Sequence, residues 1–80
     1  MPTATNVAFT ELIKINGRLR EFNFRKRNEM LYNVDTSDER GTRYMFQLLK
    51  EDDGWKIQGI DIPGWIMNSR SLLEEIVTRS

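Results

Sequence analysis

Hydrophobic and polar positions alternate with a period of two along the first sixty residues, and four polar turns interrupt the alternation. A period of two is typical of β-strands that bury one face and expose the other. The turn signals are Asn16-Gly17, Arg27–Glu29, Ser37–Gly41 and Glu51–Gly54. The pattern therefore predicts five antiparallel strands joined as a meander, with spatial order 1-2-3-4-5.

The first turn, Asn16-Gly17, fixes the register of the first hairpin. Asn-Gly tolerates the positive φ angles of a two-residue type I′ turn. Such a turn sets Ile15 opposite Arg18, and the same register sets Phe9 opposite Phe24. Because cross-strand partners share a face, one face of the predicted sheet collects Val7, Phe9, Ile13, Ile15, Phe22 and Phe24.

The remaining turns extend this aromatic face across the other strands. A three-residue turn at Arg27–Glu29 is required to keep the apolar positions of the third strand on it, since a slip of one residue would reverse every side chain. The third turn then sets Val34 opposite Tyr44, and the fourth sets Leu48 opposite Ile57. One consistent register thus gathers nearly all of the aromatic residues, which favours the meander.

After Pro63 the apolar spacing changes to i, i+3, i+4, which predicts a helix over residues 63–78. Whether this helix is continuous or broken near Asn68–Ser71 is left open by the sequence. Its apolar stripe needs a sheet face to cover, and the aromatic face is the expected partner. The predicted core is Phe9, Ile13, Ile15, Phe22, Phe24, Tyr32, Val34, Phe46, Leu48, Trp55, Ile57, Trp65, Leu72 and Ile76.

The expected fold class is therefore α+β, a five-stranded antiparallel meander with one C-terminal helix packed on one face. We expect a single domain over residues 7–80, preceded by a flexible N-terminus over residues 1–6. The 80 residues allow no second domain. No stretch has the length and hydropathy of a signal peptide or a membrane span, so a cytoplasmic location without membrane contact is expected.

The composition argues against an enzyme. The chain has no histidine and no cysteine, which excludes an imidazole base, a thiolate nucleophile and conventional zinc ligation. Its five glycines are scattered and form no phosphate-binding loop. Twelve basic and twelve acidic residues give a formal net charge of zero, which excludes a strongly basic protein. We therefore expect no catalytic residues, no metal site and no cofactor.

The sheet face opposite the aromatic one is the candidate binding surface. Its alternating positions include six large apolar residues, which we take as a candidate protein interface because exposed apolar patches mark such interfaces. They are Leu12, Leu19, Leu31, Met45, Leu49 and Ile60. The favoured interpretation is a small non-enzymatic interaction domain, a homodimer or a partner of another protein, since so short a chain gains stability by association.

The alternative is binding of single-stranded nucleic acid. The segment Arg18–Arg27 is rich in basic residues, and the outer face carries five basic side chains against two acidic ones. The candidate phosphate-binding residues are Lys14, Arg25, Arg27, Arg43 and Lys56. A meander followed by a helix also resembles, in its order of elements, the whirly and PUR-type units that bind single-stranded DNA as dimers. That face offers no aromatic residue for base stacking, so only weak binding is expected.

Overall fold

A computed structural model describes residues 7–79, which form one sheet and two short helices. The predicted flexible N-terminus, residues 1–6, lies outside the described residues. The strands are β1 (Val7–Ile15), β2 (Arg18–Asn28), β3 (Leu31–Ser37), β4 (Arg43–Glu51) and β5 (Gly54–Gln58). The helices are α1 (Gly64–Met67) and α2 (Arg70–Arg79). All neighbouring strands are antiparallel and their order is β1-β2-β3-β4-β5, which confirms the predicted α+β meander.

The register of the first hairpin is as predicted. Ile15 lies opposite Arg18, and Phe9 lies opposite Phe24. Both turn residues have positive φ, 53° at Asn16 and 81° at Gly17, the backbone conformation of a type I′ turn. The fourth turn is also as predicted, because Leu48 lies opposite Ile57.

The second turn differs from the prediction by two residues of register. The turn is Glu29-Met30, and a bulge between Lys26 and Asn28 absorbs one extra residue of β2. The amide oxygen of Asn28 accepts a hydrogen bond from the Met30 N–H at 2.8 Å, which closes the turn locally. Tyr32 therefore lies opposite Lys26 rather than Phe24. A shift of two preserves the face of every residue, so the aromatic face survives the error.

The third turn is also shifted, because Asp38 organises the loop. The side chain of Asp38 accepts hydrogen bonds from the N–H groups of Arg40 and Thr42, both at 2.9 Å, and from the Tyr44 hydroxyl at 3.1 Å. Strand pairing resumes at Arg43, opposite Ser37. The predicted pairing of Val34 with Tyr44 is therefore wrong. Val34 faces Phe46 instead.

These bonds make the turn sensitive to acid. Desolvation favours the protonated form of Asp38, but the bonds from Thr42, Arg40 and Tyr44 outweigh it and hold its pKa below 3.8. Desolvation, and then the bond to Asp38, raise the pKa of Tyr44 above 10.0. The ionised form of Asp38 is thus the form that stabilises the fold.

Replacing Asp38 with alanine should lower the melting temperature at neutral pH. A depressed carboxyl pKa stabilises the fold at pH values above the unfolded-state pKa of about 4, and that stabilisation is lost as pH falls through the folded-state pKa. The gap in melting temperature between wild type and Asp38→Ala should therefore narrow on acidification, as followed by circular dichroism. Asp52→Ala, in an exposed turn, should show no such gap. A gap that stays constant down to about pH 2.5 would contradict this account.

The C-terminal helix is interrupted at Asn68-Ser69, which divides it into α1 and α2. The Ser69 hydroxyl donates a hydrogen bond to the Trp65 carbonyl at 2.8 Å, and the Ser69 carbonyl accepts the Leu73 N–H at 3.0 Å. The buried Ser69 thus connects the two segments. Both segments contribute residues to the core on the aromatic face of the sheet, hereafter the inner face.

The core matches the prediction in the sheet and departs from it in the helices. Every strand residue of the predicted core is buried except Phe9, which is half-buried. Trp65, in α1, is also half-buried. The placement of Leu72 in the core is wrong, because its side chain is 44% exposed. Leu72 lies one residue, or about 100° of helical rotation, from the fully buried Leu73. The helical core residues that the prediction missed are Ile66, Leu73 and Val77.

Candidate functional site

A concave surface on the outer face of the sheet is the candidate site. With the helices packed on the inner face, side chains from all five strands border an open trough of about 960 Å³ on the outer face. The outward-facing positions along it are Ala8, Thr10, Asn23, Arg25, Asn33, Asp35, Met45, Gln47 and Gln58, with Gly59 and Ile60 at one end. Apart from one arginine and one aspartate, its polar side chains are amides and a hydroxyl.

A hydrogen-bonded ladder of polar side chains crosses four strands of this face. The Thr10 hydroxyl donates to the Asn23 amide oxygen at 2.7 Å, and the Asn23 amide donates to Asp35 Oδ1 at 2.8 Å. Arg43 donates to the same Asp35 oxygen and forms an ion pair with it. Each side chain restrains the next, so the ladder presents an ordered polar surface.

A second row of side chains runs beside the ladder and contains the arginine that lines the trough. The register sets Arg25 between Ala8 and Asn33, and Asn33 opposite Gln47. The Gln47 amide donates to the Asn33 amide oxygen at 3.2 Å. Arg25 is exposed and forms no ion pair with the described residues. This guanidinium is therefore available to a ligand.

The five candidate phosphate-binding residues do not form one cluster. Arg25 and Arg27 lie two residues apart on β2, whereas Lys56 lies on β5, three strands away. Arg43 is paired with Asp35, which compensates its charge. Lys14 is six residues along β1 from Ala8, the partner of Arg25, a separation of about 20 Å. The structure thus brings together only Arg25 and Arg27.

Other basic residues of the Arg18–Arg27 segment are used within the fold. Arg20 points to the inner face, and its guanidinium lies 5.2 Å from the centre of the Trp65 ring, the geometry of a cation–π contact. Arg18 and Arg20 also pair with Glu39, at 3.1 and 3.5 Å. The high basic content of this segment therefore reflects structural roles as well as available charge.

The candidate apolar interface is divided into pairs. Leu12 and Leu19 are diagonal neighbours at the β1–β2 hairpin and are 62% and 66% exposed. Leu31 and Leu49 lie directly opposite one another on β3 and β4, and both are half-buried. The first pair exposes enough apolar surface to contribute to an interface, whereas much of the second is already covered.

The third apolar pair, Met45 and Ile60, lies at the trough. These side chains are 71% and 86% exposed, and both border the trough. The polar ladder runs across the face between this end and the exposed leucines of the first hairpin. The six candidates therefore do not form a continuous patch.

Among residues 7–79, no group of three acidic side chains is arranged to hold a metal ion. The three acidic side chains on the outer strand positions are Glu21, Asp35 and Glu51, and Asp35 is engaged by Asn23 and Arg43. No helix in the described part of the chain has the length and apolar character needed to cross a membrane.

No protein-family model, curated protein or solved structure matches this chain. The surface geometry is therefore the basis for inferring function. The sequence pattern placed Asn23 and Asp35 on the outer face but missed the ladder, because the predicted register did not set Asn23 opposite Asp35. The available signal was a polar residue at every second position from Glu21 to Arg27 on β2 and from Asn33 to Ser37 on β3.

Proposed function

We propose that this chain is a small non-enzymatic interaction domain that acts as a homodimer. The observation that carries the proposal is the exposure of Leu12, 62%, on the edge strand β1 of a chain of only 80 residues. So short a chain buries a small share of its surface alone, and covering this leucine would add apolar burial. The acidic side chains of the outer face offer no close pair for acid–base chemistry, because Asp35 is held by the ladder and Glu21 and Glu51 lie on β2 and β4 toward opposite ends of the sheet.

Sedimentation velocity of the purified chain should give a mass of about twice 9.5 kDa at about 50 µM protein. Dilution should reveal a concentration-dependent shift toward the monomer, as expected for a reversible dimer. A monomer throughout the accessible concentration range would contradict the proposal.

A second candidate function is weak binding of single-stranded nucleic acid along the trough. The observation that favours it is the pair Arg25 and Arg27, which are exposed and form no ion pair with the described residues. Every aromatic position of the described strands belongs to the inner face, as judged from the register, so bases have no ring on which to stack there. Binding would then depend on phosphate contacts, and would be sequence-tolerant and sensitive to salt.

Replacing Arg25 and Arg27 together with glutamate should abolish oligonucleotide binding without unfolding the chain, since both side chains are exposed. The measurement is fluorescence anisotropy with a labelled single strand at low salt. The wild-type log–log salt slope should be about 0.7 per phosphate contact. A matched control, Lys50→Glu with Arg79→Glu, makes the same change in charge at exposed sites away from the outer face. Equal loss in both variants, or no wild-type binding at tens of micromolar, would exclude a trough-specific site.

A further inference from the structure

The two edges of the sheet differ in how they are covered. On β5, Glu74 accepts a hydrogen bond from the Trp55 N–H and Arg70 donates one to the Trp55 carbonyl, each at 3.2 Å. Helix α2 therefore satisfies the sheet edge at Trp55. On β1, none of residues 7–79 pairs with the edge that faces away from β2, although this strand is nine residues long. Unpaired edges of this length favour pairing with another chain.

The first hairpin determines which β1 backbone groups are available. In a two-residue hairpin the residues that flank the turn form a hydrogen-bonded pair, and bonded and non-bonded pairs then alternate. Ile15 and Arg18 are that pair, so the odd-numbered residues of β1 bond to β2. The N–H and C=O groups of Thr10, Leu12 and Lys14 therefore point away from the sheet.

These groups are complementary to those of a second copy. When two β1 strands run antiparallel with Leu12 opposite Leu12 of the second copy, Thr10 of each chain faces Lys14 of the other. All three positions then exchange backbone hydrogen bonds. The side chain of Leu12, 62% exposed in the single chain, meets its own copy on the two-fold axis.

The side chains favour this register over its neighbours. If the second copy shifts so that Leu12 faces its Thr10, Glu11 lies directly opposite Glu11 of the second copy. Like charges at directly opposite positions are destabilising. The opposite shift sets Leu12 opposite Lys14 of the second copy. It also leaves the half-buried Phe9 opposite Gly17 of the second copy. With Leu12 on the axis, Phe9 instead faces Ile15 of the second copy, which extends the inner apolar face.

From this complementarity we infer that two copies pair edge to edge through β1, with Leu12 on the two-fold axis, and form one continuous ten-stranded sheet. The inference rests on the proposed homodimer and specifies its geometry. The two outer faces then lie side by side, so that the two troughs form one extended surface.

The test is a cysteine substitution, because the chain has no native cysteine. In Leu12→Cys the two sulfurs would belong to a hydrogen-bonded pair with Cα atoms about 5.5 Å apart, within the range of about 4.4–6.8 Å that a disulfide spans. Mild oxidation should convert Leu12→Cys to a covalent dimer on a non-reducing gel. The matched controls are Leu19→Cys and Met45→Cys, at positions of similar or greater exposure away from the axis, and they should stay largely uncross-linked.

A second variant tests the interface without cross-linking. Leu12→Lys sets like charges on the axis and should raise the dissociation constant of the dimer about tenfold, whereas Leu19→Lys should change it little. A wild-type dimer in which Leu12→Cys cross-links no faster than Leu19→Cys would overturn the β1 pairing and leave the homodimer standing. A wild-type monomer would overturn both.

Discussion

Replacing Phe24 with alanine should lower the free energy of unfolding by about 3–5 kcal/mol, the range for large-to-small changes at buried aromatic positions. Phe24 is 1% exposed and lies on β2 between Phe9 and Val34. Its ring stacks on the Phe9 ring with centroids 5.0 Å apart, so the substitution also removes an aromatic contact. Urea denaturation followed by circular dichroism measures the loss.

The matched control for this prediction is Leu19→Ala, on the same strand. The Leu19 side chain is 66% exposed, so the change should stay within about 0.5 kcal/mol of wild type. A loss below about 1 kcal/mol for Phe24→Ala would show that the centre of the inner face is packed differently.

Replacing Trp65 with alanine should cost about 2–3 kcal/mol, less than for a fully buried tryptophan because the side chain is half-buried. The indole meets the rings of Phe22 and Tyr44 edge-on, with centroids at 6.3 and 5.9 Å. It also lies beneath the Arg20 guanidinium. Trp65 therefore packs α1 against β2 and β4, and guanidinium denaturation should measure the loss of these contacts.

The control for Trp65 is phenylalanine, which keeps an aromatic ring and should recover about half of the stability lost in the alanine variant. A double-mutant cycle with Arg20→Ala isolates the cation–π contact, which should be worth about 0.5–1 kcal/mol at a partly exposed site. Equal stability of the Trp65→Ala and wild-type chains would mean that the ring contacts of Trp65 do not stabilise the fold.

The sequence predicted which side of the sheet each strand residue faces, although it misplaced two turns. The bulge between Lys26 and Asn28 and the loop organised by Asp38 each changed the register by two residues. Alternation has a period of two, so such errors leave every side chain on its predicted face. Faces, core and the β1–β2 and β4–β5 pairings could therefore be predicted for the strands, whereas the β2–β3 and β3–β4 pairings could not.

The alternation of polar and apolar residues could not predict the hydrogen-bonded ladder or which helical residues are buried. Because Asn23 was not set opposite Asp35, the chain of hydrogen bonds through Thr10 could not be anticipated. In the helices, apolar residues cover an arc wider than the sheet can bury. Contact with the sheet, rather than the spacing itself, decides that Leu73 is buried while the adjacent Leu72 remains exposed.

The meander also has a consequence for how the chain folds. Each strand pairs only with its immediate neighbours in sequence, through short turns. The entropy lost on closing such short loops is small, and folding rates rise as contacts become more local. A nascent chain can therefore add each hairpin to the preceding strand during synthesis. The edge that receives each new strand is then unpaired only while that strand is being made, whereas the outer edge of β1 stays unpaired in the single chain.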